Sequence, residues 1–391
     1  MKLSKRALNI NPSLTLLITA KAKEMKKQGL DVISFGAGEP DFDTMKNIKE
    51  AAKKAIDDGF TKYTATSGIL ELKQAICAKL RRDNWLDYEP KNIIVSTGAK
   101  QALFNIIMTL IDPGDEVIIP IPYWVSYEEM VRVAEGKCVF VKPNKDLKMD
   151  SKEFEKHISL KTKMLILNSP SNPTGVIYDE KELKRIASVC LKHNITILSD
   201  EVYEKLIYDE KKHISIASVN EKMKNYVVVV NGVSKTYAMT GWRIGYAAGP
   251  EDVIKAAAKL QDHSTSNPCS IAQKAALEAL TGPQDHIQKM VWEYKKRRDF
   301  MVKKLNSIKG IRANVPDGAF YVFADVSSFY GGEIKGSMEF CEKLLDEANV
   351  AVIPGIAFGD DKSVRLSYAT GQEHINRGLE RLQKFCEKIN K

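Results

Sequence analysis

The six cysteines of this 391-residue chain, at 77, 138, 190, 269, 341 and 386, form no CxxC pair and have no histidine at ligand spacing. That excludes a zinc-ribbon-like site and argues against a disulfide frame. Free thiols in a reducing cytoplasm are expected instead. Long apolar runs are also missing. No stretch approaches the ~20 residues needed to cross a bilayer, so no membrane partner is expected. Lys2, Lys5 and Arg6 do precede an apolar LTLLI run at 14–18, superficially like an export leader. Pro12 and Ser13 start a helix there, however, and lysines at 21, 23, 26 and 27 carry an amphipathic pattern on to Gly29. Internal repeats, low-complexity linkers and the GxxxxGK[ST] phosphate loop are absent. So are a basic tail and any RNA- or DNA-binding signature. The net charge of +9 therefore reads as diffuse solvated lysine spread over the helix faces, with no nucleic-acid partner.

A hydrophobic fraction of 44% and a charged fraction of 28% are those of an ordinary globular chain, and the length suggests two domains. Short apolar, β-branched runs recur at 93–96, 116–119, 137–141, 164–167, 195–199, 227–230 and 244–248. They alternate with helical patterns such as 101–111, 180–193 and 253–261. Such alternation predicts an α/β fold with a mostly parallel central sheet. After Gly282 and Pro283 the texture changes. A long charged helix over 285–308 leads into short strands near 319–325, 350–353 and 364–367, with helices near 338–348 and 374–388. The expected division is a large domain over 45–284. A smaller α+β domain comprises 285–391 with the N-terminal segment 1–44, whose helix over 13–28 packs with it.

Candidate chemistry sits where strands end, the edge at which open α/β sheets place ligands. The sequence YVVVVNGVSKTYAMTGWRIG at 226–245 is a buried strand, a turn, and then Lys235. A lysine kept from bulk water there can lose its proton and attack a carbonyl, although taken alone a solvated loop lysine is an equal reading. GAGEPDF at 36–42 turns sharply and lets backbone approach a ligand at Gly38. VSTGAKQ at 95–101 runs strand, turn, helix, and the free N–H groups of its first helical turn suit a phosphate. Trp124, at the end of another strand, fills core or stacks on a flat ring. Two X-Pro turns in NSPSNPTG at 168–175 fix the amide of Asn172. Asp200, ending LSD, is costly at a buried strand rim unless paired; its natural partner is a ring N–H⁺, and its alternative is an N-cap. Tyr203 follows it closely enough to reach the same ligand. Arg365, alone in the apolar strand SVRLSY, offers a planar fork for a carboxylate or a structural salt bridge.

Together, AGEPDF, GAKQALFN, PYWVSY, NSPSNPTG, SDEVYE, SKTYAMTGWRIGY and VRLSYAT resemble the fold-type I pyridoxal-phosphate enzymes. Within these, the chain is similar to class I aminotransferases of the bacterial and archaeal aspartate aminotransferase subgroup, over nearly its whole length. The resemblance implies pyridoxal 5′-phosphate as cofactor and ping-pong transfer of an amino group from aspartate or glutamate to a 2-oxo acid. It implies that Lys235 is the Schiff-base lysine and proton shuttle, Asp200 the partner of the pyridine nitrogen, and Trp124 the stacking ring. Tyr203 and Asn172 would bond the phenolic oxygen. The N–H groups of Ala99 and Lys100, with Ser234 and Arg243, would hold the phosphate. Tyr63 would reach it from the neighbouring subunit of a homodimer with shared sites. Arg365, with Gly38, Asn172 and Trp124, would take the substrate, and Lys100 its distal carboxylate. Many relatives carry a serine three residues before the lysine; here Gly232 stands there, and one phosphate contact is lost. Aromatic, kynurenine or prephenate transamination and C–S lysis on the same scaffold are the alternatives.

Overall fold

The computed structural model describes residues 2–389. Seven strands form one sheet: β1 Ile93–Thr97, β2 Glu116–Pro120, β3 Lys137–Val141, β4 Thr162–Asn168, β5 Thr196–Asp200, β6 Val227–Gly232 and β7 Ile244–Ala248. Their spatial order is β1-β7-β6-β5-β4-β2-β3. All neighbours are parallel except β7, which runs antiparallel to both β1 and β6.

β6 is buried along its whole length. Val227 and Val229 enter the core on one face, and Val228 and Val230 the core on the other. Successive side chains of a strand point to opposite faces, so a strand covered on both sides must be apolar without alternation. Helices supply that cover. Leu70–Asn84 and Ser270–Thr281 contribute Leu72, Ile76 and Ala275 to one core, while Ala99–Leu110 and Glu251–Asp262 contribute Leu103, Ile106 and Ile254 to the other.

A second, antiparallel sheet has the order Ile353–Pro354, Ser363–Ser367, Tyr321–Asp325 and Arg312–Ala313. Beside it, Ile33–Ser34 pairs in parallel with Val350–Ala351. The stretch read as one strand over 350–353 thus divides between two sheets. The long helix Asp285–Ser307 and the helices Ser337–Ala348 and Gln372–Ile389 close a core containing Tyr294, Phe320, Phe340 and Phe385. The N-terminal helix Leu14–Lys27 buries Ile18 and Ala22 against Phe323, Leu345 and Ile353. Among the described residues no helix is long and apolar enough to cross a membrane.

One expectation needs correction. Lys79, read among the solvated helix lysines, is 3% exposed. It pairs with the equally buried Glu204, which also accepts from Asn84 Nδ2 at 2.8 Å. Burial works to raise the Glu204 carboxyl, but Lys79, His213 and the Asn84 hydrogen bond together hold the pKa below the ordinary value. Next to this pair, Glu201 accepts from Ser199, Ser215 and His213 at 2.7–2.8 Å. Both carboxylates lie in the turn after β5, so the network ties that turn to the Leu70–Asn84 helix. A composition count cannot distinguish one buried lysine from many exposed ones.

Candidate active site

The carboxyl ends of β1, β4, β5 and β6 share one edge of the large sheet. Because β7 runs the other way, its first residue and Arg243 just before it reach the same edge. There a cavity of about 610 Å³ opens towards the small sheet and the N-terminal helix. Eleven of the twelve residues singled out in the sequence line it: Gly38, Ala99, Lys100, Trp124, Asn172, Asp200, Tyr203, Ser234, Lys235, Arg243 and Arg365. Tyr63 does not. It is 92% exposed on the outer surface of its own chain.

Lys235 leaves the end of β6 and donates from Nζ to the carbonyl of Gly38. The amine lies 5.9 Å from the centroid of the Tyr203 ring and 5.8 Å from that of Phe320. Removal from water lowers its pKa to about 8; Glu39 opposes the fall, and Arg365 and Arg243 add to it. A free-base fraction near neutrality makes this amine a nucleophile and a proton acceptor.

Asp200 ends β5, is 3% exposed, and caps no helix. Burial raises its pKa to about 6, against a hydrogen bond from Tyr127 that lowers it. The Tyr127 hydroxyl donates to Oδ2 at 2.6 Å, while among the described residues Oδ1 meets only the Val202 amide at 3.4 Å. A buried carboxylate with a neutral phenol as its chief donor is incompletely compensated, and a cationic N–H fits the remaining oxygen.

Arg365, in the middle of Ser363–Ser367, is also buried. Nη1 donates to Asn172 Oδ1 at 3.0 Å and Nη2 to the Gly36 carbonyl at 3.1 Å, while Nε has no partner among the described residues. Its guanidinium stacks 4.4 Å from the Tyr321 ring centroid. No carboxylate among the described residues pairs with it, so the salt-bridge reading fails. Tyr321, which the sequence did not point to, also exchanges a hydrogen bond with the Tyr203 hydroxyl at 2.9 Å. The Asn172 backbone amide is fixed by Asn168 Oδ1 at 2.8 Å.

Gly98, at φ +81°, starts the Ala99–Leu110 helix with no side-chain cap, and among the described residues the Ala99 and Lys100 amides, which line the cavity, have no hydrogen-bond acceptor. Arg243 lies beside them, held by the Thr240 carbonyl at 2.9 Å. A Cβ on Gly98 would come within 2.4 Å of that guanidinium. Gly232 pairs with Gly245 across β6 and β7, and a Cβ on Gly245 would lie 2.1 Å from the Ala99 nitrogen. The Lys100 ammonium sits 4.9 Å from the Trp124 ring centroid, its pKa lowered by burial and by Arg243. Among the described residues neither cation has a carboxylate partner. Free amides, a helix N-terminus and two cations form a seat for a multiply charged anion.

The sequence model of a family described as aminotransferase class I and II matches residues 30–382. The aspartate aminotransferase of Bacillus subtilis is 48% identical over 391 residues, covering 99% of this chain and 100% of that protein. A probable aspartate/prephenate aminotransferase of Rickettsia conorii is 48% identical, with 99% of each chain covered. Among solved structures, the aspartate aminotransferase from Rhizobium meliloti superposes with a TM-score of 0.96 at 44% identity over 99% of both chains. That from Thermus thermophilus with maleate superposes at 0.94 and 43%, over 98% of this chain and 99% of the other.

Proposed function

Since the chain belongs to the class I and II aminotransferases and is a transaminase, we propose that it moves the amino group of aspartate or glutamate to a 2-oxo acid with pyridoxal 5′-phosphate as cofactor. The observation that carries this reading is a half-buried amine, a buried carboxylate and a buried guanidinium with no carboxylate partner among the described residues, all lining one cavity. The donor set fits the cofactor. Asp200 Oδ1 suits a pyridinium N–H, and Lys235 suits the aldehyde carbon. The Ala99 and Lys100 amides with Ser234 and Arg243 suit the phosphate. Trp124 offers its face to the ring, and Tyr203 and Asn172 offer polar groups to the phenolic oxygen.

Bound pyridoxal phosphate supplies an electron-withdrawing ring and the carbon that carries the amino group between half-reactions. Lys235 would hold that carbon in the resting protein, and its Nζ, when free, would take the α-proton of the substrate. Asp200 would hold a negative charge against the ring nitrogen. Arg365 grips the α-carboxylate bidentately and thereby aligns the Cα–H bond with the lysine. Lys100 reaches the distal carboxylate of an acidic substrate. The second half-reaction reverses these roles on a 2-oxo acid. Residues 45–284 form the large domain in this reading, and residues 1–44 with 285–391 form the small one that carries Arg365 and closes on the ligand to exclude water. The working form is a cytoplasmic homodimer in which Tyr63 completes the phosphate seat of the other subunit; its exposure on the isolated chain supports that role.

Steady-state rates with aspartate, glutamate, cystathionine and phenylalanine as donors, and with oxo acids including prephenate as acceptors, test the assignment. Acidic donors are expected to dominate. Lys235→Ala should retain cofactor non-covalently and lose several orders of magnitude in turnover. A colourless protein that takes up no pyridoxal phosphate would end this reading.

A further inference from the structure

Tyr127 lies in the first turn of the helix Ser126–Val133 and is 2% exposed, packed in the core with Ile119, Ile166 and Leu198. Its ring meets Trp124 edge to face, with centroids 5.3 Å apart. A buried phenol needs a hydrogen-bond partner, and this one has Asp200 Oδ2 at 2.6 Å. The direction of that bond is fixed. Burial and the neighbouring carboxylate raise the phenol's pKa far above its ordinary value, so tyrosine donates and aspartate accepts. The Asp200 main chain is held separately, its carbonyl accepting from Asn168 Nδ2 at 2.9 Å and from the Ser169 amide at 3.2 Å. One carboxylate oxygen is therefore occupied from behind, and the other is left for a ligand.

We propose that Tyr127 is a positioning residue: its hydroxyl keeps Asp200 ionised and turned so that Oδ1 faces the ring nitrogen of the cofactor. This rests on the cofactor reading above. The other groups acting on the Asp200 carboxyl are the Val202 amide, which also favours the ionised form, Glu201, which disfavours it, and Lys235, which favours it. None of the latter two makes a hydrogen bond to the carboxylate, so Tyr127 is the side chain whose loss is felt directly.

The test is the pH dependence of pyridoxal phosphate binding to apoprotein, followed by equilibrium titration without substrate. Ionised Asp200 is lost as pH falls through its pKa, so affinity declines on the acid side. Titrating the cofactor and Lys235 affects every variant alike, and the comparison between variants removes it. In Tyr127→Phe the acid midpoint should move up by about one pH unit, with affinity near neutrality weakened by about tenfold, the usual scale for one hydrogen bond to a charged group. Replacing Tyr127 with 3-fluorotyrosine, a more acidic donor of nearly the same shape, should move the midpoint down. This second variant serves even where the phenylalanine protein folds poorly. In an Asp200→Asn background the Tyr127→Phe shift should vanish. An unmoved midpoint in both Tyr127 variants would overturn the proposal, because a tyrosine that only fills space changes stability and not this limb. Wild-type protein that binds no pyridoxal phosphate at any pH would instead overturn the function on which the proposal rests.

Discussion

Replacing Asp200 with asparagine is expected to stabilise the cofactor-free protein, by an amount that grows with pH. The carboxyl has a pKa of about 6 in the folded chain, raised by burial from an ordinary value of 3.8. Between those values the folded state holds a proton that the unfolded chain has released. Stability therefore falls as pH rises through this window, and the full penalty stands above it. A shift of this size corresponds to about 3 kcal/mol above about pH 7, and to roughly half of that near pH 5. Asparagine keeps the shape and can still accept from Tyr127 but carries no charge, so it escapes the penalty. Denaturant unfolding of both apoproteins across about pH 5 to 8 reads the difference directly, with other titrating groups cancelling. With pyridoxal phosphate bound the order should reverse, since only the carboxylate can pair with a ring cation. An asparagine apoprotein no more stable than wild type, or a difference that stays flat with pH, would refute the reasoning.

Arg365→Ala should raise KM for every amino-acid donor and lower kcat/KM by about two orders of magnitude, the scale of a lost charged fork. An unchanged KM would make the residue structural. Lys100→Ala should reduce kcat/KM for aspartate and glutamate by about tenfold or more while sparing phenylalanine. An equal fall for all donors would move its role to the phosphate seat. Tyr63→Phe should weaken cofactor retention by a few-fold, on the order of one hydrogen bond. Mixed dimers of Tyr63→Phe and Lys235→Ala chains would then show whether the hydroxyl serves the other subunit's site.

The large sheet was legible because its strands are buried on both faces. A run such as VVVV at 227–230 has no other stable home, and all seven strands lie within one or two residues of their expected bounds. The two-residue strands Ile33–Ser34 and Arg312–Ala313 left no local pattern, because a distant partner creates them. Val350–Ala351 and Ile353–Pro354 read as one strand since pairing, not composition, divides them. The candidate site was legible wherever a polar residue closed a strand motif, as at Asn172, Asp200 and Lys235. Tyr127 was not, although it lies in the same segment as Trp124. Its contact with Asp200 spans 73 residues of chain, and only the fold brings the two together. Tyr321 and the Lys79–Glu204 pair were hidden for the same reason.

The glycine contact at the base of the cavity has a mechanical consequence. With no side chain between Gly232 and Gly245, or between Gly245 and the Ala99 nitrogen, the lysine-bearing loop, the arginine before β7 and the anion-facing amides form a single wedge. A methyl group at position 245 would prise the helix from the sheet and misplace both ends of a bound molecule at once. Loss of grip on a phosphate and loss of a correctly aimed amine should therefore appear together in such a variant, never one without the other.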